Sequence, residues 1–190
     1  MNNNLIQHIR KYIDLSDSEV LILNEYIETH KLAKKQFMLQ ESKVCKHLYF
    51  VEKGCLRMYF INKKGVEQIA QFALEGWWIS DYQSLNNHSP SDYYIQTIEE
   101  SIIVSIDNQN FDELLNILPQ LERYFRKIMQ KSVAEAQLRS KLLYEMSKEE
   151  FYVHFSTSFP EFMQRVPQYM IASYLGLTPE YLSELRKKNL

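Results

Sequence analysis

The stretch Pro167-Gln-Tyr-Met-Ile-Ala-Ser-Tyr-Leu-Gly-Leu-Thr-Pro-Glu-Tyr-Leu-Ser-Glu-Leu-Arg186 has the spacing of two short helices joined by a sharp turn. Ile171, Ala172 and Leu175 recur at three- and four-residue intervals and so share one helix face, with Pro167 tolerated at the opening turn. Gly176 follows, the residue type that turns left-handed without a Cβ penalty. Leu177 can plug the corner, Thr178 is a good N-cap and Pro179 suits the first helical position. Leu182 and Leu185 then continue an inward face, so the second helix packs across the first. Thr178, Pro179, Glu180, Ser183, Glu184 and Lys187 point outward, ahead of the basic run Arg186-Lys187-Lys188. That pattern is a helix-turn-helix, whose second helix enters a DNA major groove. An ordinary helical hairpin closing a domain shares this spacing. The small Ala172 at the crossing and the lone glycine at the turn favour the nucleic-acid reading.

Charge is segregated along the chain in a way that agrees with a reading end. Residues 65–122 hold no Lys or Arg and 10 acids, whereas residues 1–64 and 123–190 each carry 11 basic against 7 acidic side chains. An acidic middle cannot lie along DNA, while a mildly basic C-terminal third can. With 190 residues, 45% of them hydrophobic, the chain has ample material for a packed core. No apolar run approaches a membrane span, and Met1-Asn-Asn-Asn-Leu5 is not a signal sequence, so a cytoplasmic location is expected. Cys45 and Cys55 are too few for a disulfide framework or a four-cysteine cluster.

Read in order, Leu5, Ile9 and Ile13 mark a first helix, and the capping box Ser16–Glu19 opens a second running through Ile27. Short β-like runs follow at 36–40, 47–52, 55–61, 66–74 and 93–106, with hairpin corners at Gly54 and Gly65. Their even spacing predicts an antiparallel roll of two sheets. Residues 76–93 break the pattern and form the expected lip of a ligand pocket, with Ser80, Asp81, Tyr82, Ser91, Asp92, Tyr93 and Tyr94 as candidate contacts. A surface loop plugged by Trp77 and Trp78 is the plainer alternative. From Pro119 a long helix carries Leu121, Phe125, Ile128, Met129, Val133, Ala136, Ser140 and Leu143 at near-heptad spacing. That stripe suits pairing with a second copy, or packing on the chain's own roll. A second capping box at Ser147–Glu150 opens another helix, which Phe159-Pro160 ends.

This order of helices, β-roll, long helix and helix-turn-helix resembles the Crp/Fnr family of bacterial transcription regulators over essentially the whole chain. The resemblance rests on His47-Leu-Tyr-Phe-Val-Glu-Lys-Gly-Cys-Leu-Arg57, on 76–94, and on Arg165-Val-Pro-Gln-Tyr through Arg186. It implies an α+β fold with a cyclic-nucleotide-binding-type jelly roll at 1–118, a dimerisation helix at 119–146 and a DNA-binding domain at 147–190. It also implies a homodimer on a double-stranded DNA operator, RNA polymerase as a further partner, and Gln168 with Thr178 to Lys188 at the DNA. Three departures qualify it. Ser80-Asp81 and Ser91-Asp92 stand where nucleotide-binding members carry a Gly-Glu pair and a phosphate-gripping Arg, so cyclic AMP is not expected to bind well and the effector is unassigned. Family members usually carry a β-hairpin wing after the recognition helix, whereas this chain stops at Leu190, so weaker and less salt-sensitive DNA binding is expected. Glu184 stands where an Arg commonly reads guanine.

Two other functions compete. A module for protein interaction or small-ligand binding could keep the architecture without reading DNA. Catalysis would need clustered ligands, yet His8, His30, His47, His88 and His154 are scattered and no catalytic motif occurs, so no enzyme and no metal are expected. Haem sensing would have only His47, His88, Cys45 and Cys55 to draw on for axial ligands, and no cofactor is expected.

Overall fold

The computed structural model describes residues 3–188. Two helices, α1 (Asn3–Arg10) and α2 (Asp17–Glu25), precede eight strands: β1 (Ile27–Leu32), β2 (Phe37–Leu39), β3 (His47–Lys53), β4 (Leu56–Ile61), β5 (Glu67–Ala73), β6 (Trp78–Ile79), β7 (Tyr94–Thr97) and β8 (Ser101–Asp107). A short helix, α3 (Tyr82–Asn87), interrupts the strands. The chain then runs through α4 (Asn108–Ile117), α5 (Gln120–Glu145), α6 (Lys148–Ser158), α7 (Pro160–Arg165), α8 (Gln168–Leu175) and α9 (Pro179–Lys188). No helix among the described residues is long and apolar enough to cross a membrane.

The strands form two four-stranded sheets in the orders β1-β8-β3-β6 and β2-β7-β4-β5, the α+β roll expected from the short runs. One of its corners depends on backbone that the sequence declares. Gly54 lies at φ +104°, and a Cβ there would sit 2.2 Å from the Ser101 hydroxyl oxygen. Its N–H donates to Glu75 Oε1 at 2.7 Å, so strand end, turn and neighbouring loop are fixed together. The expected helix through Ile27 is overridden by pairing: α2 ends at Glu25 with Tyr26 as its C-cap, and Ile27 enters β1 opposite Ile106. Both capping boxes form, Ser16 with Glu19 and Ser147 with Glu150. Hydrogen bonds from Ser147 hold the Glu150 carboxyl below its usual range, so this exposed cap is complete above ordinary carboxylate pKa values and weakens as pH falls through the lowered one.

The chain divides into two compact units, 1–60 with 71–129 and 61–70 with 130–190. In the first, the middle of the sheet containing β3 is buried, Leu48 to Val51 on β3 and Ile103 to Ile106 on β8, while β1 at its edge stays largely open. Phe50 packs on Trp78 at a ring separation of 5.2 Å, and Trp78 on Phe125 at 5.3 Å. The Trp78 indole donates to the Tyr124 hydroxyl at 2.8 Å, and that hydroxyl also meets His8 Nδ1 at 2.8 Å, tying α1, β6 and the start of α5. Burial pushes the Tyr124 phenol up, keeping it neutral as this network requires.

The second unit contains the tip of the β4–β5 hairpin as well as the C-terminal helices. The Ser173 hydroxyl on α8 accepts from the Ile69 N–H at 3.0 Å and donates to the Glu67 carbonyl at 2.9 Å, while the Gln68 amide donates to the Ser173 carbonyl. Arg139 on α5 donates to the carbonyls of Ala70 and Tyr174 and lies 4.3 Å over the Tyr174 ring. Partners 35 and 69 residues away in sequence explain why no local pattern announces Arg139.

Candidate functional site

The C-terminal pair of helices is built as the spacing of Ile171, Ala172, Leu175, Leu182 and Leu185 requires. Ile171, Ala172, Leu182 and Leu185 are all fully buried, forming the crossing of α8 and α9. Gly176 sits at φ +68° as the left-handed C-cap of α8, and Leu177 is buried in the corner, its N–H bonded to the Ala172 carbonyl at 2.8 Å. Thr178 Oγ1 accepts the Tyr181 N–H at 3.2 Å, capping α9, with Pro179 in the first position.

Of the residues expected at the DNA, Thr178, Pro179, Glu180, Ser183, Glu184, Arg186, Lys187 and Lys188 are all exposed. Glu180 lies at the positive end of the α9 dipole and the three basic residues at its negative end, so the charge order also suits the helix. Gln168 is half-buried at the start of α8, and its Oε1 has no hydrogen-bond partner among the described residues. Two aromatic residues on the same helices escaped the sequence reading: Tyr169 is 53% exposed and Tyr181 36%. Their signal was helical position, since each falls outside the Ile171–Leu185 inward pattern.

The long helix changes character along its length. Leu121, Phe125 and Ile128, expected in a dimer seam, are buried in the roll's own core, where Tyr124 joins them. This corrects that expectation: a near-heptad stripe serves intramolecular packing equally well, and here its first half does. Met129 is half-buried, and Val133, Ala136 and Leu143 are exposed. Tyr144, at 90% exposure, continues the open stripe from Val133. At 100° per residue Val133 and Tyr144 point about 120–140° away from Arg139, which marks the packed side, whereas Ala136 and Leu143 lie within about 60° of it.

The seven residues expected to line a ligand pocket do not converge on one space. Ser80, Asp81 and Ser91 are buried and spent on the fold. The Ser80 hydroxyl donates to the His47 carbonyl at 2.7 Å. Asp81 caps α3, its Oδ1 accepting from the Gln83 and Ser84 N–H groups at 3.1 and 3.2 Å, and its Oδ2 accepts the Ser91 hydroxyl at 2.6 Å. Tyr82 is half-buried, and burial first, then the nearby Cys45, pushes its phenol up to about 12. Asp92 is exposed, Tyr93 packs edge-on to Phe60, and Tyr94 stacks on Tyr59 at 4.9 Å and donates to Glu41. The buried guanidinium of Arg57 is engaged elsewhere, on Gln96 Oε1 at 2.7 and 3.0 Å and over the Tyr59 ring at 4.0 Å. The spacing that looked like a mouth is therefore a self-bonded corner.

Asp81→Ala should accordingly lower stability by roughly 2–4 kcal/mol, combining a lost N-cap with a buried serine left without its acceptor. Urea unfolding monitored by tryptophan fluorescence measures this, and the exposed Asp92→Ala should stay within about 0.5 kcal/mol of the parent. No group of three or more His, Cys, Asp or Glu side chains able to hold a metal occurs among the described residues, and Cys45 and Cys55 are separate and buried. Burial raises the Cys45 thiol, so it is not a poised thiolate.

Comparison with known proteins places this geometry. A family model for the cyclic nucleotide-binding domain matches residues 29–117. The chain is 28% identical over 183 residues to the fumarate and nitrate reduction regulatory protein of Vibrio cholerae, covering 90% of this chain and 72% of that one. Among solved structures it is similar to the c-di-GMP responsive global regulator CLP of Xanthomonas campestris, with TM-score 0.72, 13% identity and 91% of each chain covered. It is also similar to FixK2 of Bradyrhizobium japonicum, with TM-score 0.68, 19% identity, and 85% and 83% of the two chains covered.

Proposed function

We propose that this chain, whose residues 29–117 match the cyclic nucleotide-binding domain, is a transcription regulator of the Crp/Fnr type that works as a homodimer reading a palindromic DNA operator. The observation that carries the proposal is α9: its Leu182 and Leu185 are fully buried, while Thr178, Glu180, Ser183, Glu184 and Lys187 make the side away from them polar and open. Glu180, Ser183 and Glu184 present hydrogen-bonding groups at the depth of base edges, and a carboxylate there accepts from a cytosine amino group. Arg186, Lys187 and Lys188 supply phosphate contacts, with Gln168, Tyr169 and Thr178 beside them. Two such helices one helical turn apart, about 34 Å, would define the half-site spacing. RNA polymerase is the natural further partner of a regulator so placed.

The roll is the sensing part in this reading, and cyclic AMP is a poor candidate for its effector. Asp81 and Ser91 bond each other where a nucleotide would need a free ribose contact and a cation, and residues 65–122 contain no Lys or Arg. A buried phosphate without aligned donors or a cation costs several kcal/mol. Calorimetric titration with cyclic AMP should show no binding tighter than the millimolar range.

Selection of fragmented genomic DNA on the purified full chain, followed by gel shift, tests the main proposal. A recovered two-fold symmetric motif is expected. Arg186→Ala and Lys187→Ala should each weaken all sequences alike and reduce the salt slope by about one, whereas Glu184→Ala should relax preference at one base position. Recovery of no preferred sequence, with or without cell extract, would sink it. The exposed carboxylates of Glu180 and Glu184 favour one alternative, a protein-interaction module. Under that alternative only Glu184→Arg would bind DNA.

A further inference from the structure

A groove of about 240 Å³ opens in the first unit between β2 and the start of β3. Met38, Leu39, Val44 and Tyr49 give it an apolar floor. Lys43, Lys46 and His47 stand on its lining, and no carboxylate does. The ammonium groups of Lys43 and Lys46 make no ion pair or side-chain hydrogen bond among the described residues, whereas His47 already faces Asp107 at 3.8 Å. The Tyr49 hydroxyl is used on the Met38 carbonyl at 3.1 Å, which leaves the two lysines as the groove's unpaired charged groups among the described residues, with the Gln40 amide beside them.

The loop that carries these lysines is stitched to the self-bonded corner around Asp81. The Ser42 N–H donates to the Ser91 carbonyl at 2.8 Å, and the Ser91 N–H returns to the Lys43 carbonyl at 2.9 Å. Val44 bridges Pro90, and the Cys45 N–H donates to the Ser84 hydroxyl at 2.9 Å. Ser42, a non-glycine residue, is held at φ +65° where this stitch begins. Whatever draws Lys43 and Lys46 together therefore pulls on the loop that holds Ser91 and, through it, Asp81 and α3.

We propose that this groove is an effector site of the roll and takes a small organic anion with an apolar body, its charge on Lys43 and Lys46 and its body on Met38, Leu39 and Val44. The proposal rests on the reading of the roll as a sensor and gives that sensor a place outside the nucleotide-type corner. At ~20–30 Å³ per heavy atom the groove suits a ligand of on the order of ten non-hydrogen atoms. The anion is a carboxylate or a phosphate monoester, which share the chemistry that two lysines recognise.

Amide NMR titrations of the full chain with octanoate and with hexyl phosphate test this, with inorganic phosphate as a third arm. Saturable shifts centred on 38–49 and on Ser91 are expected with at least one of the organic anions. Both lysines are exposed, so Lys43→Gln with Lys46→Gln should leave the melting temperature unchanged and weaken that binding at least about tenfold. Response to octanoate alone assigns a carboxylate ligand, response to hexyl phosphate alone a phosphate ester, and response to both the shared chemistry. Shifts that never saturate, equal affinity in the double variant, or inorganic phosphate binding as tightly as hexyl phosphate would each overturn it. Operator binding is scored separately by gel shift, so failure of the DNA reading and failure of this site are distinguishable.

Discussion

Replacing Val133 and Tyr144 together by aspartate is expected to convert the proposed dimer to monomers and to weaken the proposed operator binding by at least about 100-fold. In the single chain Val133 is 56% exposed, Leu143 48% and Tyr144 90%. Burying such side chains against a second copy contributes roughly 1.5–3 kcal/mol each, and carboxylates in their place must stay in water. A monomer also reaches only one half-site, so gel-shift midpoints should rise and become steeply dependent on protein concentration. Analytical ultracentrifugation at micromolar concentration checks the first outcome. The first half of α5 provides the control: Leu121→Ala, buried in the roll's own core, should lower melting temperature yet leave the dimer constant unchanged once folded. A Val133/Tyr144 double variant that still sediments as a dimer would remove α5 from the interface.

Gly54→Ala should destabilise the first unit by at least about 3 kcal/mol, more than the same change at Gly65, Gly76 or Gly176. Two independent costs act at this position. A Cβ would stand 2.2, 2.7 and 2.8 Å from Ser101 Oγ, Cβ and Cα, so the clash involves backbone and cannot be relieved by a rotamer change alone. The conformation at φ +104° is also one that L side chains rarely adopt. Gly65→Ala isolates the second cost, since nothing lies within 4 Å of its Cβ position at φ +74°; its penalty should be about 1–2 kcal/mol. Urea unfolding of both variants gives the comparison, and equal penalties would mean that the close approach of Ser101 contributes nothing.

These examples show what the sequence carries and what it does not. Features written within a few residues were legible: both capping boxes, the hairpin glycines, and the Gly176–Thr178–Pro179 corner formed as their spacing requires. Period alone could not say what a helical stripe packs against, and so Leu121, Phe125 and Ile128 passed for a subunit contact. Long-range pairing was hidden as well. Ile27 leaves the helix pattern because Ile106 offers it a strand, and Asp81 looked like a ligand contact because its acceptor role toward Ser91 depends on how 81–91 folds back. The short α3 and α7 and the ten-residue α4 fell in stretches too brief or too polar for a periodic signal.

β5 is the outermost strand of its sheet, and Ser173 supplies both halves of the ladder bond that another strand would otherwise make with Glu67 and Ile69. During synthesis Ser173 emerges 104 residues after Ile69. At ~5–20 residues per second, the nascent chain therefore carries those two groups unguarded for about 5–20 s on the ribosome. In that interval any extended chain can pair with them, the usual opening move of aggregation between incompletely made proteins. One serine hydroxyl, arriving late, ends that hazard, and Ser173→Ala should leave more of the newly made protein in the insoluble fraction of the cell.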